Sequence, residues 1–297
     1  MSDDPFVRHR GLLFTVAYEM LGSAADAEDV VQETWLRWAG LTDAARGEVR
    51  EPRTYLVRIV TRQALNRLRT MARRREDYVG PWLPEPLLTS PDVADDVELA
   101  ESVSMAMLTV LETLLPAERA VFVLREVFDV PYDEIAEAVG KSEVAVRQIA
   151  HRARAHVAAR RPRSQVSRAE QRQVVDRFVA ALATGDVQGL MDVLAPDVVL
   201  VPDGGGLIGA ARKPIAGAGR VVPFLTSRVA RMVRGTEAWL NGAPGLLLHL
   251  DGQVVAAISL TVEDGRITRL YAVANPGKLE RIGTEAALTR TPERGRW

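Results

Sequence analysis

Between residues 76 and 100 the chain carries four prolines and a run of acids, "EDYVGPWLPEPLLTSPDVADDVE", and no feature constrains its fold more. Proline has no amide hydrogen to give a helix or a central strand, so neither element continues through this stretch. The patterns on both sides are helical. "FVRHRGLLFTVAYEMLG", "AADAEDVVQETWLRWAG" and "RTYLVRIVTRQALNRLRTMARRR" precede it, the first two closed by Gly22 and Gly40. Helical periodicity resumes near Glu98 and runs to Arg161, where "RPRSQVS" makes a second short linker. The signal then changes. "SRAE" at Ser167 reads as a capping box opening one more helix, "QRQVVDRFVAALATG". From Pro196 onward, "DVVLV", "TEAWLNG", "GLLLHLDG", "VVAAISLTVEDG" and "RITRLYAVAN" are β-branched runs separated by turn residues, with "LDGQ" and "EDGR" as hairpin connections. Helices followed by successive antiparallel strands imply an α+β unit with a curved sheet.

A chain of 297 residues exceeds the roughly 250 that a single core sustains. The expected units are residues 1–76 and 101–163, both all-α, joined by the acidic linker 77–100, then the α+β unit 167–283 and a frayed end, 284–297. Cysteine is absent, which excludes disulfides, thiolate metal sites and cysteine nucleophiles. The start, "MSDDPFVRHRG", lacks the apolar core of a signal peptide, and no run reaches the ~18 apolar residues of a membrane span. A cytoplasmic protein without membrane contact is the expectation. The formal net charge is −1, so basic surface exists only as local patches.

Two such patches stand out. No acid lies between Pro52 and Arg75, and at 100° per residue Arg58, Arg62, Arg69 and Arg73 fall within roughly 60° of one another. Like charges at this spacing repel, so the stripe suits phosphates; a solvated face balanced by acids elsewhere is the plain alternative. The second patch is "PYDEIAEAVGKSEVAVRQIAHRARAHVAARR", with seven Lys and Arg against one Glu between Lys141 and Arg163. It divides into a short helix, a break at Gly140 and a second helix with Ser142 as N-cap. Ile135, Ala136 and Val139 can pack against Val146, Ile149, Ala153 and Val157, which is helix-turn-helix spacing. The outer face then presents Lys141, Glu143, Arg147, Gln148, His151 and Arg154. Arg suits guanine, Gln adenine, and Glu accepts from cytosine, so this face has the chemistry of base reading; an ordinary amphipathic helical hairpin is the alternative.

The stretches "DAEDVVQETWLRWAG" with "YLVRIVTRQALNRLRTMARRR", and "LETLLPAERAVFVLREVFDVPYDEIAEAVGKSEVAVRQIAHRARAHV", resemble regions 2 and 4 of group IV, or extracytoplasmic-function, sigma factors. The resemblance covers roughly residues 5 to 162. It implies that region 2 docks on core RNA polymerase through Asp29, Gln32, Glu33, Leu36, Arg37 and Trp38 and reads the promoter −10 element through the basic helix, with Arg62, Gln63 and Asn66 in the base-pocket neighbourhood. Region 4 would read the −35 element through its second helix. "WLPEP" (Trp82, Leu83, Pro84, Glu85, Pro86), "DGGG" (Asp203, Gly204, Gly205, Gly206) and "NPGKL" (Asn275, Pro276, Gly277, Lys278, Leu279) further resemble the SigJ-type subfamily, whose C-terminal domain is SnoaL-like with an NTF2-like cone. That pattern usually has Lys where this chain has Leu207, and an acid where it has Gly277; Arg212 and Lys213 lie nearby.

The cone carries few groups that could do chemistry: Asp203, Glu237, His249, Asp251 and Tyr271. The glycines of "PDGGG" lack the Lys-Ser/Thr of a phosphate loop, and no ligands cluster for a metal, so no cofactor is expected. A tethered domain faces its neighbours at millimolar effective concentration, so the three motifs are expected at an interdomain interface that regulates in cis. A small ligand in the cone would shift that balance, although no residue names one. The alternative function is an enzyme of the SnoaL type, or a small-molecule sensor, carrying a DNA-binding module. A plain helix-turn-helix repressor is a third reading, which leaves "DVVQETWLRWAG" without a task.

Overall fold

A computed structural model describes residues 4–76, 78–160, 166–206, 211–227 and 232–290, with side chains of 72–76 and 168 left aside. The first unit packs α1 (Pro5–Leu21), α2 (Ala24–Ala39) and α4 (Pro52–Glu76) around one another, with the short α3 (Asp43–Gly47) between the last two. Local chemistry sets the boundaries: the Asp4 carboxylate caps α1, Gly22 ends it at φ 66°, and Ser23 Oγ accepts from Asp26 N to open α2. The second unit runs through α5 (Val97–Ser102), α6 (Met105–Leu111), α7 (Pro116–Phe122) and a π-type turn (Val123–Val127) to α8 (Tyr132–Val139) and α9 (Glu143–Ala158). Gly140 breaks α8 from α9 in the left-handed region, φ 68°, and Ser142 caps α9, as the sequence spacing predicts.

The third unit is helices on a curved sheet, the fold class expected for it. Helices α10 (Arg168–Thr184) and α11 (Val187–Val193) lead into β1 (Leu194–Asp203), followed by β2 (Ile215–Ala216), α12 (Ala218–Leu225), β3 (Arg234–Leu240), β4 (Ala243–Leu250), β5 (Gln253–Glu263), β6 (Arg266–Val273) and α13 (Pro276–Leu279). The strand order is β2-β1-β6-β5-β4-β3; β1 and β6 run parallel and the other neighbours antiparallel. All three hairpins turn on an Asx-Gly pair with positive φ at both residues, Asn241 (53°)–Gly242 (74°), Asp251 (50°)–Gly252 (80°) and Asp264 (50°)–Gly265 (71°). This geometry matches the right-handed strand twist.

The sheet is covered on both faces. On one, α10, α11 and α12 bury Phe178, Leu190, Leu200, Leu246, Ile258 and Leu270. On the other, Leu240, Ala257, Tyr271 and Val273 pack against Leu83 of the linker, Met105 of α6, and Leu279 and Ile282. The Pro-rich linker is therefore no free tether. Residues 83–87 are all buried. Its backbone groups find partners on both sides, Glu85 N donating to Gly22 O at 2.8 Å and Thr89 N to Trp239 O at 2.9 Å.

Two further outcomes differ from the sequence expectation. The two helical units are not separately cored, because α1, α2, α4 and α6 to α9 share one hydrophobic cluster. The expected frayed end is also packed over its described part. Ala286 N donates to Leu88 O at 2.8 Å, Thr289 N to Thr15 Oγ1 at 3.0 Å, and Leu288 joins the shared cluster. Among the described residues, no helix is long and apolar enough to cross a membrane.

Candidate nucleic-acid interface and interdomain junction

Helix α9 buries Val146, Ile149, Ala150, Ala153 and Val157 and turns its polar side outward. Lys141, Glu143, Gln148, His151 and Arg154 are exposed there, as is Arg147, whose guanidinium stacks over the Tyr132 ring at 4.5 Å. Arg147 Nη2 pairs with Glu143 Oε1 at 2.5 Å, an i,i+4 surface contact worth a few tenths of a kcal/mol. Arg154 Nε lies 3.2 Å from Glu126 Oε1.

The basic stripe of α4 is only partly open. Arg69 reaches Asn66 Oδ1 at 3.2 Å and both are exposed, while Gln63 is half-buried. Arg58 instead forms an ion pair with Glu137 of α8, and Arg62 Nη2 donates to Glu137 O at 2.9 Å. Arg58 and Arg62, with no acid beside them between Pro52 and Arg75, are met by a carboxylate and by a carbonyl near the negative end of α8. The side chain of Arg73 lies outside the described residues. Thus the first helix of the helix-turn-helix rests on the helix expected to read the −10 element.

On α2, Asp29, Gln32, Glu33, Leu36 and Arg37 are exposed. Trp38 is a correction: it is 1% exposed, its Nε1 donating to Asp4 Oδ1 at 3.0 Å. Val31, Thr34 and Trp38 follow the i, i+3, i+7 spacing of the buried side, so the tryptophan of the outer face is Trp35, 37% exposed and 5.0 Å from Phe6 between ring centroids. That periodicity was visible in "VVQETWLRW".

The three motifs of the linker and third unit meet in one buried cluster. Asp203, at the end of β1, accepts at Oδ2 from Leu83 N (2.8 Å) and Lys278 Nζ (2.7 Å), and at Oδ1 from the Tyr78 hydroxyl. Lys278 also donates to Leu83 O, and its ammonium sits 3.4 Å from the Trp82 ring centroid. Asn275 Nδ2 donates to the Tyr78 hydroxyl at 2.8 Å, and Asn275 caps α13, with Pro276 at its first turn and Leu279 buried. Gly205 has φ 59° and a Cβ there would meet Asn275 at 2.6 Å, so the glycine is required twice over. Gly204 is buried, and Gly206 lies over Val79. Burial, then the Asp203 carboxylate, push the Tyr78 hydroxyl pKa above its ordinary value, so it stays a donor. Leu207, standing where the family pattern has Lys, is outside the described residues; Lys278 supplies a cation to Asp203. Tyr78 was missed by sequence reasoning, since one aromatic in a linker carries no periodic signal.

Glu85 fixes the linker to the first unit. Its Oε2 accepts from Ala24 N (2.8 Å), Ser23 Oγ (3.2 Å) and Ala25 N (3.3 Å), placing a carboxylate on the positive end of α2. Pro84 and Pro86 hold this stretch extended on either side and are buried with it.

Glu19, also missed, is fully buried where the two helical units meet. Its Oε1 accepts from Ser102 Oγ at 2.8 Å, Oε2 has no partner among the described residues, and its backbone carbonyl accepts from Arg119 Nε at 2.9 Å. Burial pushes the Glu19 carboxyl up to about 8 against the opposing pull of Ser102, Arg119 and Arg290. Burial also raises Glu85, against its three hydrogen bonds to the start of α2. A raised carboxyl holds its proton in the folded chain after an exposed one, at 4.5, has lost it. The folded state therefore binds more protons over that window, and its stability is highest below it and falls as pH rises through about 8. The midpoint of urea unfolding is expected to decline from pH 5 to 8, with Glu19→Gln flattening the decline; a rising midpoint contradicts this placement.

The five acid–base candidates do not converge. Asp203 and Tyr271 lie buried on the linker side of the sheet, whereas Glu237 is exposed on edge strand β3 and Asp251 on a hairpin turn. His249 contacts Thr236 Oγ1 at 2.9 Å.

The comparisons with known proteins agree with this geometry. Residues 6–75 match the model of Sigma-70 region 2, and residues 104–157 that of Sigma-70, region 4. Over 294 residues the chain is 39% identical to the ECF RNA polymerase sigma factor SigJ of Mycobacterium tuberculosis (strain ATCC 25618 / H37Rv), covering 94% of this chain and 93% of that protein. It is 33% identical over 283 residues to the probable ECF RNA polymerase sigma factor SigI of M. tuberculosis (strain CDC 1551 / Oshkosh), covering 93% and 94%. The crystal structure of M. tuberculosis SigJ matches with a TM-score of 0.72 at 36% identity, over 91% of this chain and 95% of that one. Two sigma modules in this order, a helix-turn-helix with its polar face outward and similarity over nearly the whole chain lead to one conclusion: the protein belongs to the extracytoplasmic-function RNA polymerase sigma factors of the SigJ type.

Proposed function

We propose that this sigma factor, which directs promoter-specific initiation, is regulated in cis by its own third domain. It works in the cytoplasm with core RNA polymerase, docked through the α2 face of Asp29, Gln32, Glu33, Trp35, Leu36 and Arg37. Region 2 reads the −10 element with α4, and region 4 reads the −35 element with α9. In the closed arrangement the third domain, the linker and the C-terminal segment 285–289 hold region 4 on region 2. The observation that carries this reading is the engagement of Arg58 and Arg62 by Glu137, which ties two cations of the −10 reader to the −35 module.

Glu137→Arg replaces that anchor with a third cation. In run-off transcription with bacterial core polymerase, on the promoter of the protein's neighbouring operon, the variant is expected to yield about two- to fivefold more transcript than the full-length chain, the size expected for losing a surface ion pair. An unchanged yield at equal polymerase binding overturns the masking. Under the same conditions Arg147→Ala is expected to lower promoter affinity about 10- to 100-fold.

A second reading attaches to the cone. A cleft of about 860 Å³ opens between α10, α12 and the β3–β5 face, walled by Val179, Leu182, Leu225, Leu246, Leu248 and Ile258. Its size suits a small molecule. No Asp, Glu or His is among its described lining residues, which favours a bound effector over a substrate.

A further inference from the structure

The β3–β4 hairpin ends on Asn241 and Gly242, and this tip reaches out of the third domain into the place where all other parts of the chain meet. Asn241 is fully buried. Its backbone N donates to Leu87 O at 2.9 Å and its Oδ1 accepts from Leu87 N at 3.0 Å, so one residue pairs with the linker on both hydrogen-bonding groups. Its Nδ2 donates twice, to the Tyr18 hydroxyl of region 2 at 2.7 Å and to Val103 O, in the segment entering region 4, at 2.9 Å. The partners fix the amide orientation, since Leu87 N can only donate and Val103 O can only accept. Tyr18, held protonated by burial, passes the chain of bonds on to Glu85 O at 2.7 Å. Gly242 completes the turn against α5, where a Cβ would lie 2.9 Å from Ala100 Cα.

We infer that Asn241 is the positioning residue through which the third domain sets the separation of the −10 and −35 readers. The inference rests on the reading of regulation in cis. It identifies the contact that carries that regulation. Three features single out this side chain. It alone, among the described side-chain hydrogen bonds, joins region 2, the linker and the region 4 segment at once. Its partners are buried in the closed arrangement, so losing the amide leaves Leu87 N and Val103 O unpaired there; in an open arrangement water serves them. A substitution therefore penalises the closed form selectively. Lastly, β3 is the edge strand, and the other end of the same hairpin, at Arg234, Gly235 and Leu248, borders the cone cleft. The hairpin thus spans from the cleft to the junction.

The experiment measures the distance between regions 2 and 4 in the full chain by single-molecule energy transfer. The chain has no native cysteine, so dyes on Asp43→Cys and Arg152→Cys, both exposed positions, report without interference. Asn241→Gly keeps the positive φ and removes only the amide. It is expected to raise the ratio of open to closed molecules about 10- to 100-fold, as two or three buried hydrogen bonds imply. Tyr18→Phe, on the region 2 side, is expected to act in the same direction with a smaller effect, and to add less in the Asn241→Gly background than alone. If Asn241→Gly leaves the distances unchanged while Glu137→Arg opens the chain, regulation in cis stands and the assignment of Asn241 falls. If neither opens it, both fall. Should Asn241→Gly fail to fold, Tyr18→Phe decides: unchanged distances with that variant overturn the proposal.

Discussion

Lys278→Met is expected to destabilise the protein by roughly 3–5 kcal/mol, the cost of leaving one member of a buried ion pair without the other. Lys278 is 7% exposed, and the Asp203 side chain it pairs with is completely buried. Methionine keeps the length and apolar stem that lie against Trp82, so the loss measures the charge rather than a cavity. Asp203 would keep Leu83 N and Tyr78 as donors, but hydrogen bonds from neutral groups do not replace an ammonium in a site from which water is excluded. The expected signature is a lower thermal midpoint for the full chain together with release of the linker, read as protease cutting near residues 78–90. The double variant Asp203→Asn/Lys278→Met should recover part of the loss because no charge remains buried. A single-variant loss below about 1 kcal/mol would mean that the pair is solvated in solution.

Trp35→Ala is expected to weaken binding of core RNA polymerase about 30-fold or more, the effect of removing an aromatic hot spot worth about 2 kcal/mol. Trp35 and Leu36 are exposed large apolar residues beside the charged and polar groups Asp29, Gln32, Glu33 and Arg37, and Phe6 of α1 backs the indole ring. Such a patch suits a partner that covers it. Trp38→Phe serves as the contrast. Trp38 is buried, so its substitution should lower stability through lost packing and the lost bond to Asp4, with little change in the affinity of folded protein. Titration of labelled sigma factor with core polymerase distinguishes the two. If Trp38→Phe weakens binding more than Trp35→Ala at equal folding, the assignment of the outer face is wrong.

Much of this was readable from periodicity and punctuation. The helix-turn-helix followed from Gly140, Ser142 and the apolar spacing of α8 and α9, all local signals satisfied within some thirty residues. The strands of the third domain followed from β-branched runs between Asx-Gly turns, whose positive φ is a local steric property. Trp38 against Trp35 was readable as well, since a 3.6-residue period places them on different sides of α2.

The rest depended on partners far apart in the chain. Glu137 meets Arg58 across 79 residues, and Asn241 meets Tyr18 across 223. Neither pairing leaves a periodic trace. A buried Asn in a hairpin turn looks, residue by residue, like any Asn-Gly turn, and a Glu at the end of a short helix looks solvated. The Pro-rich linker illustrates the division most plainly. Its composition determined that no single helix or interior strand continues from residue 76 to residue 100, because proline removes the donor those ladders need. Composition did not determine that the linker is buried. That follows from the sheet's second apolar face, which must be covered, and from backbone groups of residues 85–89 that find donors and acceptors only once the first and third units close on them. The sequence by itself thus determined the modules, their order and the chemistry of each face, since these rest on contacts within a few helical turns. Only the tertiary structure decided which faces are open and which are held shut, because that depends on long-range burial and on the polar groups buried with it.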